Sequence, residues 1–555
     1  MTVPSHELSL AAGFPAGSVD EWRRLALAVL RKSSAAGAET PPEAVDELLA
    51  TETYDGIRLA PLHTADDAPP ALPPPHMPAG AWEVRQRHGG TDPKRVNEEI
   101  LADLDNGVGG IWIDGPLLPG MLDGVHLELI SVAVAGPEAA AAVLDGGAVA
   151  GTLGLDPERD ADLIRAAAAR PALRPVTVDA TRAHEAGASD AQELGCAVAE
   201  AVAHLRSLDF PVERSSALLE FRFAATADQF ATMAKLRAAR RMWTRVLDVC
   251  GAPPGIAMHQ HAVTSAVMLT ARDPWTNMLR DTLACFGAGV GGANAVTVLP
   301  FDAAVGRPDA FARRIARNTQ ALLIEEANVA RVRDPAGGSW YVERRTAELA
   351  RIAWEWFQEI ERAGGFHAAR DLIDEKIAAT WAKRRDNIAH RRDPLTGLSE
   401  FPHLEEKPLV REPADGPGPA RRYAADFEAL RDRADAAPAR PTVFLATLGP
   451  VAAHTARASF AADLFAAGGI ATVHSGPDVD LAEAFAASGT PVACICGTDT
   501  AYAERAAEVA TALKKAGATT VWLAGKPGDH KDVDDYLYTG CDAVAVLEST
   551  LEVLA

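Results

Sequence analysis

Apolar and polar positions along the chain change their period three times. Residues 19–32, VDEWRRLALAVLRK, place apolar side chains at helical spacing behind Ser18 and Asp20, which predicts a capped amphipathic helix. The stretch 61–80, PLHTADDAPPALPPPHMPAG, holds seven prolines and predicts neither helix nor central strand. Residues 1–80 therefore read as an extended N-terminal arm that wraps a neighbouring domain or a partner chain. From Trp82 to about Gly365 short β-branched runs alternate with longer helical patterns. The expected strands are 109–114, 127–134, 148–155, 174–179, 217–223, 255–262 and 294–300, and the clearest helices are 190–208, 228–250 and 309–327. Such alternation over residues 81–384 predicts a parallel α/β sheet close to a closed eight-stranded (β/α)8 TIM barrel.

The mixed-charge, proline-bearing stretch 385–440 breaks this rhythm and reads as a linker. Five further runs, TVFLATL (442–448), GIATVHS (469–475), PVACICG (491–497), TTVWLAG (519–525) and DAVAVL (542–547), alternate with helical segments such as 503–517. They predict a flavodoxin-like doubly wound domain over 441–555, with any ligand outside the carboxyl ends of the strands near the switch point.

Composition narrows the function classes. Hydrophobic residues make up 48% and charged residues 23%, the balance of a globular protein and of neither a disordered nor a fibrous one. Lys and Arg total 54 against 76 Asp and Glu, a net charge of -22, the wrong sign for gripping nucleic acid or an anionic membrane. Six scattered cysteines form no disulfide framework and no zinc motif. Cys494 and Cys496 alternate on one predicted strand and read as buried small hydrophobes. The first ten residues lack the basic start and apolar core of a secretory signal, which points to the cytoplasm. The uncharged-looking run 282–301 is interrupted by Gly287, Gly289, Gly291, Gly292, Asn294 and Pro300, so it reads as helix end, turn and strand.

Several strings carry a family resemblance. KLRAARRMW (235–243), HAVTSAVMLTARDPWTNMLR (261–280), RRIARNTQALLIEE (313–326), DPAGGSWYVE (334–343) and TGLSEFP (396–402) stand in the order of matching blocks in methylmalonyl-CoA mutase. Over roughly residues 55–555 the chain resembles the cobalamin-dependent acyl-CoA mutases. The resemblance implies radical chemistry on adenosylcobalamin, with migration of a carbonyl-CoA group, in which the protein binds and orients the cofactor and holds the thioester.

Residue by residue, the family's chemical positions are changed. The D-x-H-x-x-G that follows the first strand of the small domain reads Ala452, Ala453, His454, Thr455, Ala456, Arg457 here. His454 occupies the cobalt-ligand position without its carboxylate partner, a loss that typically costs ~10 to 100-fold in metal affinity. Arg457 replaces the glycine beside the nucleotide tail, Cys496 the third-strand serine, and Ala524–Gly525 the Gly-Gly pair. His454 thus reads as a leftover histidine that holds no metal. In the barrel, Thr181 and Arg182 stand where the family closes a tyrosine and a histidine over the thioester. Arg87 replaces the tyrosine against the adenosyl group, and Gly154 the glutamine for the substrate carboxylate.

Other candidates have plainer readings. His259 and His261 alternate on one strand but lack a sequence-local third ligand, and His261 is expected to be hydrogen-bonded at a strand end. HKDVDD (530–535) is expected to cap a short helix. The Arg-rich stretch 312–317 is expected to be a solvated face with its alkyl stems on the barrel.

An intact fold with altered sites resembles the smaller, non-catalytic chain of the two-chain members. This implies no catalytic residue and no cofactor on this chain, and a catalytic large subunit that carries adenosylcobalamin and converts (R)-methylmalonyl-CoA to succinyl-CoA. Two alternatives stay open. One is an autonomous mutase for another acyl-CoA that uses His454, Arg182 and Arg87; the other is a CoA-ester binding or regulatory module without cobalamin.

Overall fold

The computed structural model describes residues 13, 17–67, 77–416, 418–476 and 479–555. Eight parallel strands form the first sheet: β1 Glu83–His88, β2 Gly110–Ile113, β3 Ser131–Ala133, β4 Ala150–Thr152, β5 in two pieces Ala172–Arg174 and Val176–Asp179, β6 Leu219–Ala225, β7 Gln260–Thr264 and β8 Ala295–Thr297. The sheet closes through β5. Its first piece pairs with β4 and its second with β6, while β8 pairs with β1. Pro175 separates the pieces because it has no N–H for the ladder. The closed α/β architecture is the TIM barrel that the alternation predicted.

Seven of the eight strands stand where the apolar runs placed them, and β1, EVRQRH, is the one the pattern missed. Its alternate residue Arg85 points into the barrel, 1% exposed, and donates to Glu220 at 2.9 Å and Glu83 at 2.7 Å. A strand whose inward face is ionic carries no hydrophobic alternation to detect. The outer helices begin at side-chain caps. Ser189 and Gln192 form a capping box at Asp190–Ser207, and Asp228 accepts from the Ala231 amide at 2.9 Å to start Gln229–Val249. The run 282–301 is a helix end, Asn277–Val290, then a turn, then β8.

The Arg-rich stretch departs from its expectation. On helix Ala310–Ala321, Arg313 and Arg317 are buried rather than solvated, because Asp103 of helix Pro93–Leu104 accepts from both; Arg314 alone is exposed.

The second sheet is parallel, in the order β10 Ala471–His474, β9 Thr442–Thr447, β11 Val492–Cys496, β12 Thr520–Ala524, β13 Asp535–Leu537. This 2-1-3-4-5 order is the flavodoxin-like, doubly wound arrangement. The fifth strand, however, is Asp535–Leu537 and not 542–547. The AVAVL run lies in helix Ala543–Leu554, because the Asp542 side chain accepts from the Ala545 amide at 3.0 Å and Ala543, Leu547 and Leu551 share one buried face. HKDVDD accordingly leads into a strand, where Asp534 accepts from the Val521 amide at 2.6 Å, and not into a helix.

Within 385–440, helix Ala425–Asp435 buries Phe427, Leu430 and Ala434 in the second core. The same helix grips the barrel loop after β7: Glu428 accepts from the Ala271 amide at 2.6 Å, and Arg272 reaches Asp432 at 2.5 Å and Asp435 at 2.7 Å.

Of the arm, helix Val19–Lys32 starts at Ser18, which accepts from the Glu21 amide at 3.1 Å. Residues 51–59 form a short hairpin that lies on this chain's own barrel: Ile57 joins the barrel core, Asp55 accepts from the Ala191 amide at 3.2 Å, and Arg384 lies 4.1 Å over the Tyr54 ring. The rest of the expected extension, residues 1–12, 14–16 and 68–76, lies outside the described residues. No helix among the described residues is long and apolar enough to cross a membrane.

Candidate functional site

Barrel enzymes carry their chemistry at the carboxyl ends of the strands. Here that mouth is built from charged side chains that satisfy one another. Arg87 of β1 donates to Asp114 after β2 through Nε at 2.8 Å. Trp112 of β2 lies between two guanidinium groups, Arg222 at 4.1 Å and Arg87 at 5.2 Å from its ring centre, the geometry of a cation–π stack. Arg222 of β6 also donates to Asp179 at the end of β5, at 2.9 Å, and Asp179 takes the Thr181 hydroxyl at 2.5 Å. Arg87 and Thr181 are thus drawn into one network. Arg182 is exposed and makes no side-chain hydrogen bond or ion pair among the described residues. Gly154 has a φ of +56°, and a Cβ there would stand 3.0 Å from Ala135 Cα, so the backbone packs too closely for the glutamine of the resembled pattern.

Deeper in the lumen the two strand histidines are engaged. The Arg222 Nε donates to His261 Nδ1 at 3.2 Å, which leaves the proton on Nε2 facing Thr297 Oγ1 at 2.8 Å. Burial and the Arg85 charge hold His261 well below the usual imidazole range, so it is neutral. The carboxylate that the local sequence lacks is supplied by Glu220 of the neighbouring strand, 3.3 Å from His259 and 3.8 Å from His261. Arg85 already occupies that carboxylate and holds it ionised, its pKa well below the ordinary carboxylate range despite burial. Among the described residues no group of three His, Cys, Asp or Glu side chains is arranged to hold a metal ion.

One cluster went unnoticed in the sequence because its two hydrogen-bonded pairs join residues 42 and 81 positions apart. His184 Nε2 lies 2.7 Å from Ser265 Oγ, and Lys235 donates to Glu193 at 2.7 Å. It resembles a nucleophile, base and carboxylate set. Yet Ser265 is buried, His184 Nδ1 is 3.9 Å from Glu193, and burial lowers the His184 pKa to about 3, so the imidazole is a poor base for the hydroxyl. These bonds tie the β5 and β7 loops together.

In the doubly wound domain, His454 sits in the first turn of helix Val451–Ala467, half-buried, with Nδ1 3.2 Å from the Gly449 carbonyl. Ala452 offers it no carboxylate. Arg457, one turn on, donates to the Ala524 carbonyl at 3.1 Å and to Asp499 at 2.6 Å, and lies 5.1 Å over the Tyr502 ring. The Arg457 guanidinium lies against Gly525, where a Cβ would stand 2.7 Å from Nη1. Cys494 and Cys496 are buried with their sulfurs 3.9 Å apart, as small core residues.

A closed parallel barrel followed by a 2-1-3-4-5 doubly wound domain, with a histidine just after that domain's first strand, defines a protein of the acyl-CoA mutase class. The comparisons narrow the class. A family model for methylmalonyl-CoA mutase matches residues 158–474, and the chain belongs to that family. It is 52% identical to the methylmalonyl-CoA mutase small subunit of Streptomyces virginiae, over 100% of this chain and 99% of that protein. Identity to the small subunit of Propionibacterium freudenreichii subsp. shermanii is 36%, over 99% of this chain and 96% of that one. Similarity to the methylmalonyl-CoA mutase of Cereibacter sphaeroides, 32%, extends over 48% of this chain and 39% of that protein.

Proposed function

We propose that this chain is the non-catalytic, structural subunit of an adenosylcobalamin-dependent methylmalonyl-CoA mutase, paired with a large subunit that holds the cofactor and interconverts (R)-methylmalonyl-CoA and succinyl-CoA in the cytoplasm. The observation that carries the reading is the barrel mouth. Where a mutase of this class must admit a thioester, the mouth carries the Arg87–Trp112–Arg222 stack and its paired partners Asp114 and Asp179, with Arg222 and Asp179 enclosed and Arg87 and Asp114 exposed. Displacing Arg222 would leave Asp179, largely enclosed, without its cation.

The residues of the second domain do not fit a cobalamin. His454 lacks a carboxylate to orient it, and the Arg457 side chain takes the space beside the strand ends. The end-to-end match to proteins named small subunits supports a large partner.

The autonomous-mutase reading has one feature in its favour: the Gly449 carbonyl takes the His454 Nδ1 proton and leaves Nε2 free. One experiment separates the two. The isolated chain and the two-chain complex are assayed with methylmalonyl-CoA, ethylmalonyl-CoA and isobutyryl-CoA, with wild type, His454→Ala and Arg182→Ala. The proposal expects turnover only in the complex and no loss from either substitution. Cobalamin-dependent product from the isolated chain would overturn it.

A further inference from the structure

In an open doubly wound sheet the ligand crevice lies at the switch point, outside the carboxyl ends of the strands on either side of it. In the order β10-β9-β11-β12-β13 that point is the gap between β9 and β11. The helix after β9, Val451–Ala467, packs in one core with Ala543–Leu554, and the helix after β11, Asp499–Lys515, packs in another on the opposite face of the sheet. A crevice between these two layers is open unless something spans it.

One side chain spans it, and a second from the opposite layer meets it there. Arg457 reaches from the first helix to the Ala524 carbonyl at the end of β12, at 3.1 Å, and to Asp499 on the second helix, at 2.6 Å. Tyr502 of the second helix is 4% exposed; its hydroxyl donates to the same Ala524 carbonyl at 2.7 Å and accepts from the Gly497 amide at 2.8 Å. The guanidinium lies over the Tyr502 ring, so the two groups pack face to face as well as sharing an acceptor. The Arg457–Asp499 pair contributes little by itself, because Asp499 is 86% exposed. The buried bonds to Ala524 and Gly497 do the holding.

We propose that Arg457 and Tyr502 form a built-in latch that fills the switch-point crevice and pins the loops after β11 and β12, so that this edge of the domain is closed by the chain's own side chains and not by a bound ligand. The latch deepens the reading of a cofactor-free domain and rests on it. Here the ordering is internal: Arg457 ties both helix layers across the sheet.

Hydrogen–deuterium exchange of the full-length chain tests this, with Arg457→Ala, Arg457→Lys and Tyr502→Phe compared with wild type. Arg457→Ala and Tyr502→Phe are expected to speed exchange about ten-fold in peptides covering 497–502 and 523–527, with the barrel strands unchanged, as for a local opening. Arg457→Lys is expected not to restore protection, since an ammonium cannot reach carbonyl and carboxylate together while covering a ring. Should Arg457→Ala fail to fold, Tyr502→Phe alone carries the test, because it removes one hydroxyl from a retained ring. Unchanged exchange at 497–502 and 523–527 in the folded variants overturns the latch. The cofactor-free reading falls by a different result, a stoichiometric absorbance change when hydroxocobalamin is titrated into the wild-type chain.

Discussion

Asp281 is enclosed on helix Asn277–Val290, and neither carboxyl oxygen makes a well-formed hydrogen bond. Burial pushes its pKa up to about 8, against smaller pulls from Thr264 and Arg280. The folded state therefore holds this proton over a range in which the unfolded chain has released it. That contribution is lost as pH rises from the unfolded value toward 8, with a slope of at most about 1.4 kcal/mol per pH unit. Thermal unfolding from pH 5 to 9 is expected to show wild type losing stability relative to Asp281→Asn as pH rises; parallel curves would contradict this. Arg85 presents the opposite case, a charge that is buried and paired. Arg85→Ala leaves Glu220 enclosed without its cation and should cost about 3–5 kcal/mol in urea unfolding, whereas Arg85→Met with Glu220→Met should recover most of that loss. Of the residues singled out beforehand, Arg87 and Thr181 join the mouth network while Arg182 does not. Trp112, Arg222, Asp179 and Glu220 could not be found from sequence, because each is meaningful only through a neighbour on another strand.

At the scale of elements, helix starts are fixed by local caps, whereas two strands depend on tertiary context. Ser18, Ser189 and Asp228 mark helix starts because a side-chain oxygen satisfies a nearby amide, an interaction decided within a few residues. Asp542 is the same kind of signal, overridden in the reading by the β-branched AVAVL run that follows it. Asp542→Ala should cost about 0.5–2 kcal/mol and loosen helix Ala543–Leu554, measurable by chemical unfolding and by exchange in that helix. No effect would mean that packing of Leu547 and Leu551 alone sets the helix start. Strand β1 was illegible for the converse reason: its inward residues are charged, and only a barrel that brings Glu220 to Arg85 makes such a strand stable.

For the whole molecule, the arm divides into a hairpin packed on the barrel and a helix that leaves apolar side chains exposed. Val45 and Ile57 are buried, and Asp55 holds the start of helix Asp190–Ser207, so residues 45–59 belong to the fold. Helix Val19–Lys32 leaves Leu25 and Val29 exposed, one turn apart. Removing residues 1–36 should leave the unfolding transition of the isolated chain in place and weaken co-elution with the large subunit in size-exclusion chromatography; equal co-elution would assign the helix another task. The sequence alone determined the α/β class, the barrel followed by a doubly wound domain, and the family, because hydrophobic period and block order are local properties that survive without coordinates. Tertiary structure alone decided how β5 closes the barrel across Pro175, which strand ends the second sheet, and which charged side chains pair at the barrel mouth and across the switch point. Those outcomes depend on side chains from distant segments meeting at 3 to 5 Å, and the charge pairing that makes Arg87, Arg222 and Arg457 tolerable in such places exists only once the chain has folded.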